Sequence, residues 1–393
     1  MVVPLPSPED EERARPTAPQ AEAVAVGLAS GAAPPAGLTG LQRVLLEATI
    51  AALTDHPIDL SDYTPITPDE LGELLRRRNL AFRTRCIQLM LLAALVLRPL
   101  PREVPAKVQR YATALGVDES MVEVAQEFAR GTLGLAAIDF ERNGYTHDWG
   151  HDERQELHTS HALAKAWDFA VADPDLAARW AALEGLPEGT LGRSVWQMYA
   201  ARGFVYPGLP GSAPPLLAQH DWVHVLADYG TIVECELEVF ALIARANDDM
   251  HGFSLLAMVV SLFETGYLRS GAGLFEYDMG HLSHAPCAGR AMAERLADAM
   301  ARGAWCRDEE TGDDSIDFLR IDWFDLADMP IEDARARFRL RPRSDRALWA
   351  GSVTPWETGG ISPFQLDAGR GLAGRMGRTY DSFGATPLVV PGP

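Results

Sequence analysis

The chain has 393 residues, of which 47% are hydrophobic and 23% charged, so it is long enough for two packed domains and is not a disordered chain. Its 55 acidic and 35 basic residues give a formal net charge of -20, which would repel nucleic-acid phosphates and an anionic membrane surface. We therefore expect no nucleic-acid partner. The four cysteines lie far apart without C-x-x-C spacing, which favours a reducing, cytoplasmic compartment.

Residues 1–37 predict a disordered N-terminal tail, because they mix Pro, Ala, Gly and Glu without hydrophobic periodicity. The stretch from Met1 to Arg15 is acidic where an export or import signal needs basic residues, so we expect neither signal. The apolar runs Ile87 to Leu97 and Phe253 to Phe263 fall short of the roughly 20 residues that span a bilayer. We expect no transmembrane segment.

Residues 38–135 predict a helical bundle, because capping signals and apolar periodicity recur there and strand signals are nearly absent. Thr67-Pro68-Asp69-Glu70, for instance, is a capping box with proline at the first helical position. The predicted helices span residues 40–54, 67–78, 80–98, 103–115 and 119–130.

Part of this bundle has a family resemblance. An apolar helix is followed by a turn at Leu100-Pro101 and then by Leu115-Gly116-Val117-Asp118. This order, over about residues 80–131, resembles the tellurite-resistance-B-like helical domain. A small helical interaction domain of another kind is the alternative.

Residues 136–350 predict a second helical domain that holds most of the residues capable of chemistry, with a turn at Asn143-Gly144 near the junction. Residues 351–393 are rich in Gly and Pro and predict a flexible C-terminal tail.

A metal-ligand pattern lies in this second domain, at His220-Asp221-Trp222-Val223-His224. Two imidazoles four positions apart lie on one face of a helix, here with a carboxylate beside them. Imidazole nitrogen and carboxylate oxygen are ligands of zinc and related ions, and three such ligands leave a position open for water or substrate. The pattern predicts a divalent metal site; the alternative is that the histidines are ordinary surface or core residues.

Glu236 can reach this site only if the chain doubles back. On one unbroken helix it would lie about 24 Å from His220, since each residue rises about 1.5 Å. We expect Gly230 to end the first helix and Thr231 to open a second through a capping box with Glu234. The fold class predicted is therefore all-α, with two helical domains, the second a multi-helix bundle with a metal-binding helical hairpin.

Helix faces single out Glu236 in the second helix of the hairpin. It falls in an apolar stripe, whereas Glu234 and Glu238 are expected on the other side, near Arg245. A carboxylate on an apolar face is costly unless it is paired or bound to a cation. Glu236 is therefore the acidic residue of this helix that needs a partner, and we predict it as the fourth metal ligand.

The same residues carry a family resemblance over about residues 160–345. The pattern HDxxH, eleven residues and then Glu is flanked by Leu186 to Arg193 upstream and by Ile321 to Trp323 and Met329 to Arg335 downstream. This order resembles the coenzyme Q (ubiquinone) biosynthesis protein four family. The resemblance implies an all-helical fold in which His220, Asp221, His224 and Glu236 bind Zn²⁺ or a similar divalent ion.

The function implied by the resemblance has two forms. One is a metal-dependent decarboxylase, a lyase that acts oxidatively at ring carbon one of a prenylated hydroxybenzoate. The other is a non-catalytic scaffold that holds an isoprenoid lipid and organises the protein partners of a quinone-biosynthesis complex. Either form implies a prenylated quinone precursor as ligand, in the cytoplasm or peripherally at the inner face of the membrane.

A second histidine cluster, His147-Asp148-Trp149-Gly150-His151, repeats the HDxxH pattern, with His158 and His161 after it. On one helix His147, His151, His158 and His161 would form a single polar stripe. A second metal site is one interpretation, and a solvated face or a pH-sensitive contact is the other. The two His-Asp pairs also leave a remote alternative, a metal phosphohydrolase of the HD type, in which Glu236 has no role.

Overall fold

The computed structural model describes residues 15–97, 100–118, 122, 125–126, 172–210, 212, 215–247, 256, 288–313, 315–357 and 359–384. Within these ranges the regular elements are helices, and a single β-bridge joins Thr190 to Pro330. The predicted all-α fold class is confirmed. Among the described helices, none is long and apolar enough to cross a membrane.

Five helices are named among the described residues of the first part of the chain. They are α1 (Ala18–Ala32), α2 (Gly40–Thr54), α3 (Pro68–Leu74), α4 (Leu80–Leu95) and α5 (Glu103–Leu115). The bounds of α2 and α5 agree with those predicted, because local signals set them. The Thr39 side chain caps α2 by accepting from the N–H of Gln42, and Gly116, at φ 63°, ends α5 in the left-handed conformation that glycine tolerates.

Helix α1 corrects the prediction that residues 1–37 form a tail, over the part that the structure describes. Thr17 and Gln20 form a capping box at its start, and its inner face is buried against α2, α4 and α5. Glycine allows a close approach here, since a Cβ on Gly27 would lie 2.6 Å from Leu71 Cδ1. A face built largely from Ala and Gly gives little hydrophobic contrast, so the segment resembles a linker in composition.

Leu28→Ala distinguishes a packed helix from a tail. The Leu28 side chain is fully buried, so its truncation is expected to lower the free energy of unfolding by about 2–5 kcal/mol. Urea denaturation measures the loss, and Glu22→Ala, at an exposed position of the same helix, is the matched control. Equal urea midpoints for the two variants would contradict the packing of α1 in the core.

Eight helices follow among the described residues of the second part. They are α6 (Pro174–Ala182), α7 (Leu191–Arg202), α8 (Pro215–Ala227), α9 (Val233–Ala246), α10 (Ala288–Trp305), α11 (Ile331–Arg337), α12 (Asp345–Trp349) and α13 (Pro363–Arg375). Helix α9 packs along α10, and α10 packs against α2 of the first bundle. The buried apolar residues that the structure describes accordingly form one continuous cluster. The predicted boundary between residues 135 and 136 lies outside the described residues.

The predicted C-terminal tail is wrong for residues 351–357 and 359–384. Helix α13 packs against α7, and the Tyr380 hydroxyl donates to the Ala201 carbonyl at 2.8 Å. A Cβ on Gly203 would lie 2.7 Å from the Ala368 backbone, so glycine is what lets this segment approach α7. The glycine and proline residues that suggested flexibility have other roles here: glycine allows close packing, and proline begins a helix.

Candidate metal centre

The candidate ligands lie on two consecutive helices joined by a short connection. Helix α8 carries His220, Asp221 and His224, and α9 carries Glu236. All four side chains are buried, with exposures of 8%, 7%, 0% and 4% in that order. The structure thus brings together, inside the core, the four residues that the sequence predicted as ligands.

Glu236 lies against both imidazoles. One of its oxygens, Oε2, is 3.1 Å from His220 Nε2 and 3.2 Å from His224 Nε2. Asp221 Oδ1 lies 3.4 Å from His220 Nε2, and the ligand atoms of His220, Asp221 and His224 all lie within 4.8 Å of one another. The group formed by His220, Asp221 and His224 could therefore hold a metal ion, and Glu236 contacts both of its histidines.

The connection between α8 and α9 differs in detail from the predicted hairpin turn. Helix α8 ends at Ala227, and Asp228, at φ 63°, takes the left-handed conformation expected of Gly230. Helix α9 begins at Val233 with Ile232 at the N-cap, so the predicted capping box at Thr231 is wrong. Thr231 instead forms hydrogen bonds with residues that are distant in sequence, which a local capping rule does not consider.

His224 is oriented by the backbone of this connection. Its Nδ1 lies 2.7 Å from the carbonyl oxygen of Gly230, which can only accept a hydrogen bond. Nδ1 therefore carries the hydrogen, and Nε2 is the nitrogen that faces Glu236. Such a carbonyl partner is typical of metal-binding histidines, because it fixes both the tautomer and the ring orientation.

Asp221 has a partner that sequence reasoning missed. The hydroxyl of Tyr199, on α7, donates to Asp221 Oδ2 at 2.5 Å, while the Tyr199 ring stacks on Tyr206 with centroids 6.0 Å apart. Burial raises the pKa of Asp221, against the opposing effects of His220, His224 and this hydrogen bond. Tyr199 could not be predicted, because it lies in a helix with several aromatic residues and no local sequence feature distinguishes it from them.

Glu236 is held ionised by its neighbours. Burial alone would raise the pKa of its carboxyl group, but the charges and hydrogen bonds of His224 and His220 outweigh burial and lower the pKa from 4.5 to about 2. The carboxylate is therefore the form that the folded protein stabilises.

This shift predicts an acid-sensitive component of the stability of the metal-free protein. Because the pKa of Glu236 is lower in the folded than in the unfolded chain, its contribution is complete above about pH 4.5 and is lost as the pH falls towards about 2. As the pH falls across this range, the free energy of unfolding measured by urea denaturation should decrease less for Glu236→Gln than for the unaltered protein. An equal decrease in the two proteins would contradict this prediction.

A second buried acid on α9 corrects the analysis of helix faces. Glu238, expected on the side of α9 away from the apolar stripe and near Arg245, is fully buried and pairs with Arg295 of α10 at 2.7 Å. Helix α10 packs against α9, so this acid is buried as well. Glu236 is therefore one of two acids on this helix that need partners, and the other finds its partner in a guanidinium.

The segments that flank the motif pack around it. The N–H of Leu191 donates to the Met329 carbonyl at 2.9 Å, so the upstream and downstream segments lie side by side. Arg335 Nε donates to the Leu226 carbonyl at the end of α8 at 2.9 Å. Trp323 and Trp222 stack with centroids 6.0 Å apart, so the two downstream segments contact α8 and the upstream segment contacts one of them.

The other histidines predicted as a polar cluster cannot be placed. His147, His151, His158 and His161 lie outside the described residues, as does the apolar run Phe253 to Phe263, except for Leu256. Comparisons of the chain with protein-family models, with curated proteins and with solved structures gave no match.

Proposed function

We propose that the chain binds one divalent metal ion, zinc in preference to magnesium or calcium, through His220, Asp221, His224 and Glu236. The observation that carries the proposal is the position of the Glu236 carboxylate between the Nε2 atoms of both histidines. Two imidazole nitrogens suit zinc and related transition metals, whereas magnesium and calcium prefer oxygen ligands alone. Two carboxylates buried together also favour a doubly charged cation, which would neutralise them.

Metal content tests this proposal directly. Protein purified without chelator is expected to carry about one ion per chain, and Glu236→Gln and His224→Ala are each expected to lose it, because each removes a donor. Mass spectrometry identifies and counts the metal. The absence of metal from the unaltered protein, or its retention in both variants, would refute the site.

A matched control is available on the same helix. Glu234 lies on α9 two residues before Glu236 and is partly exposed, so Glu234→Gln removes the same charge without changing a proposed ligand. It is expected to retain the metal. Loss of metal in this control as well would show that net charge, rather than coordination, governs binding.

We infer further that the ligand of this centre is a prenylated aromatic acid of the quinone-precursor class. This inference depends on the resemblance of three ordered segments, and it is supported by the contacts of the downstream segments with α8 and of the upstream segment with Met329. When bound, a divalent ion would supply Lewis-acid polarisation of the carboxylate and phenolic oxygens of such a molecule. Asp221 and Glu236 would contribute the negative charge that retains the ion, and His224 the nitrogen that its carbonyl partner has oriented.

A specific observation favours the scaffold form as a second candidate. Four buried protein ligands resemble the closed shell of a structural zinc site more than an open catalytic site with three ligands. A scaffold would retain the prenylated acid without converting it. The HD-type phosphohydrolase has no such support, because it leaves the contact of Glu236 with both histidines without a role.

Turnover separates the enzyme from the scaffold. The metal-loaded protein, supplied with a prenylated hydroxybenzoate and with oxygen or another electron acceptor, is expected to release carbon dioxide if it is the decarboxylase. Glu236→Gln, which is expected to lose the ion, should abolish the release. Saturable binding of the prenylated acid without any carbon dioxide would instead establish the scaffold, and neither binding nor turnover would refute both.

A further inference from the structure

The C-terminal segment lies directly on the connection between α8 and α9. The N–H of Gly230 donates to the carbonyl of Val353 at 2.8 Å, and the N–H of Thr231 donates to the carbonyl of Gly360 at 2.8 Å. A Cβ on Gly230 would lie 2.6 Å from Gly360 Cα, so the two backbones touch at a point where only glycine fits. The carbonyl that orients His224 therefore belongs to a residue held from far downstream.

A buried glutamine closes the same contact with its side chain. Gln365 Nε2 donates to the carbonyl of Thr231 at 3.0 Å, and the Thr231 hydroxyl donates to Gln365 Oε1 at 2.8 Å. Gln365 is fully buried, and its Oε1 also accepts from the N–H of Ser362, the N-cap of α13. The start of α13 is thus joined to the connection by a reciprocal pair of hydrogen bonds.

Arg202, at the end of α7, contacts both the C-terminal segment and the connection between α8 and α9. Its guanidinium is fully buried and donates through Nε to Thr231 Oγ1 at 2.5 Å, and through Nη2 to the carbonyls of Pro355 at 2.8 Å and Gly360 at 3.2 Å. A buried guanidinium is costly unless its N–H groups are hydrogen-bonded. The C-terminal loop and the α8–α9 connection are what satisfy it, so the two segments are held in register.

We propose that Val353, Gly360 and Gln365, here called the C-terminal clamp, are positioning residues of the metal centre together with Arg202. They fix the backbone of Gly230 and Thr231, and the Gly230 carbonyl in turn holds the His224 ring so that Nε2 faces the other ligands. The consequence for metal affinity rests on the proposed function, whereas the orientation of His224 does not. Loss of such an outer partner typically weakens metal binding by about 10–100-fold.

Two variants of the clamp contacts test this role, each with a matched control. Thr231→Val removes the hydroxyl at nearly constant volume, and Thr231→Ser retains it. Gln365→Ala removes the paired hydrogen bonds, and Arg370→Ala changes a half-exposed residue of the same helix. The zinc dissociation constant is measured by competition with a chromophoric chelator, and the ring nitrogens of His224 are observed by NMR in the metal-free protein.

We expect Thr231→Val and Gln365→Ala to raise the dissociation constant about tenfold or more, with one ion still bound at saturation. Their His224 signals should show loss of the hydrogen-bonded Nδ1–H, and both control variants should match the unaltered protein. Unchanged affinity and unchanged His224 signals in either folded clamp variant would overturn the inference, even if its thermal stability fell. If the unaltered protein binds no zinc, the proposed function fails, while the His224 signals still decide whether the clamp orients the ring.

Discussion

The contact of one buried carboxylate with two imidazoles is the constraint around which the second part of the chain is arranged. Glu236 is ionised inside the core, and its charge is compensated only while α8 and α9 stay close enough for Oε2 to reach both Nε2 atoms. Its neighbours serve this geometry. Helix α7 supplies Tyr199 to Asp221, and the turn after α8 supplies the carbonyl that orients His224.

The proximity of the four candidate ligands could be predicted because each has a local sequence signature. Spacing of four residues puts His220 and His224 on one helical face whatever surrounds the helix. The position of Glu236 in an apolar stripe marks it as a carboxylate that needs compensation. Helices α2 and α5 were predictable for a similar reason, since Thr39 and Gly116 define their ends through bonds to residues a few positions away.

The parts that could not be predicted depend on distant residues. The partner of Glu238 is Arg295 of α10, and the Thr231 hydroxyl donates to Gln365 instead of capping α9. Helix α1 was missed because Ala and Gly, which let helices approach closely, are also the residues of linkers. In each case the deciding interaction joins residues that are far apart in sequence. Hydrophobic periodicity and capping rules use only neighbouring residues and cannot predict such an interaction.

The close contact of Gly230 with Gly360 has a consequence for the order of events during synthesis. The four candidate ligands leave the ribosome close together, but the backbone that fixes the Gly230 carbonyl follows only after a large further stretch of chain. A nascent chain that holds α8 and α9 alone therefore has these side chains without a fixed His224 ring. The geometry of the proposed centre should accordingly be completed only when the segment around Gly360 and α13 docks, which makes it a late step of folding.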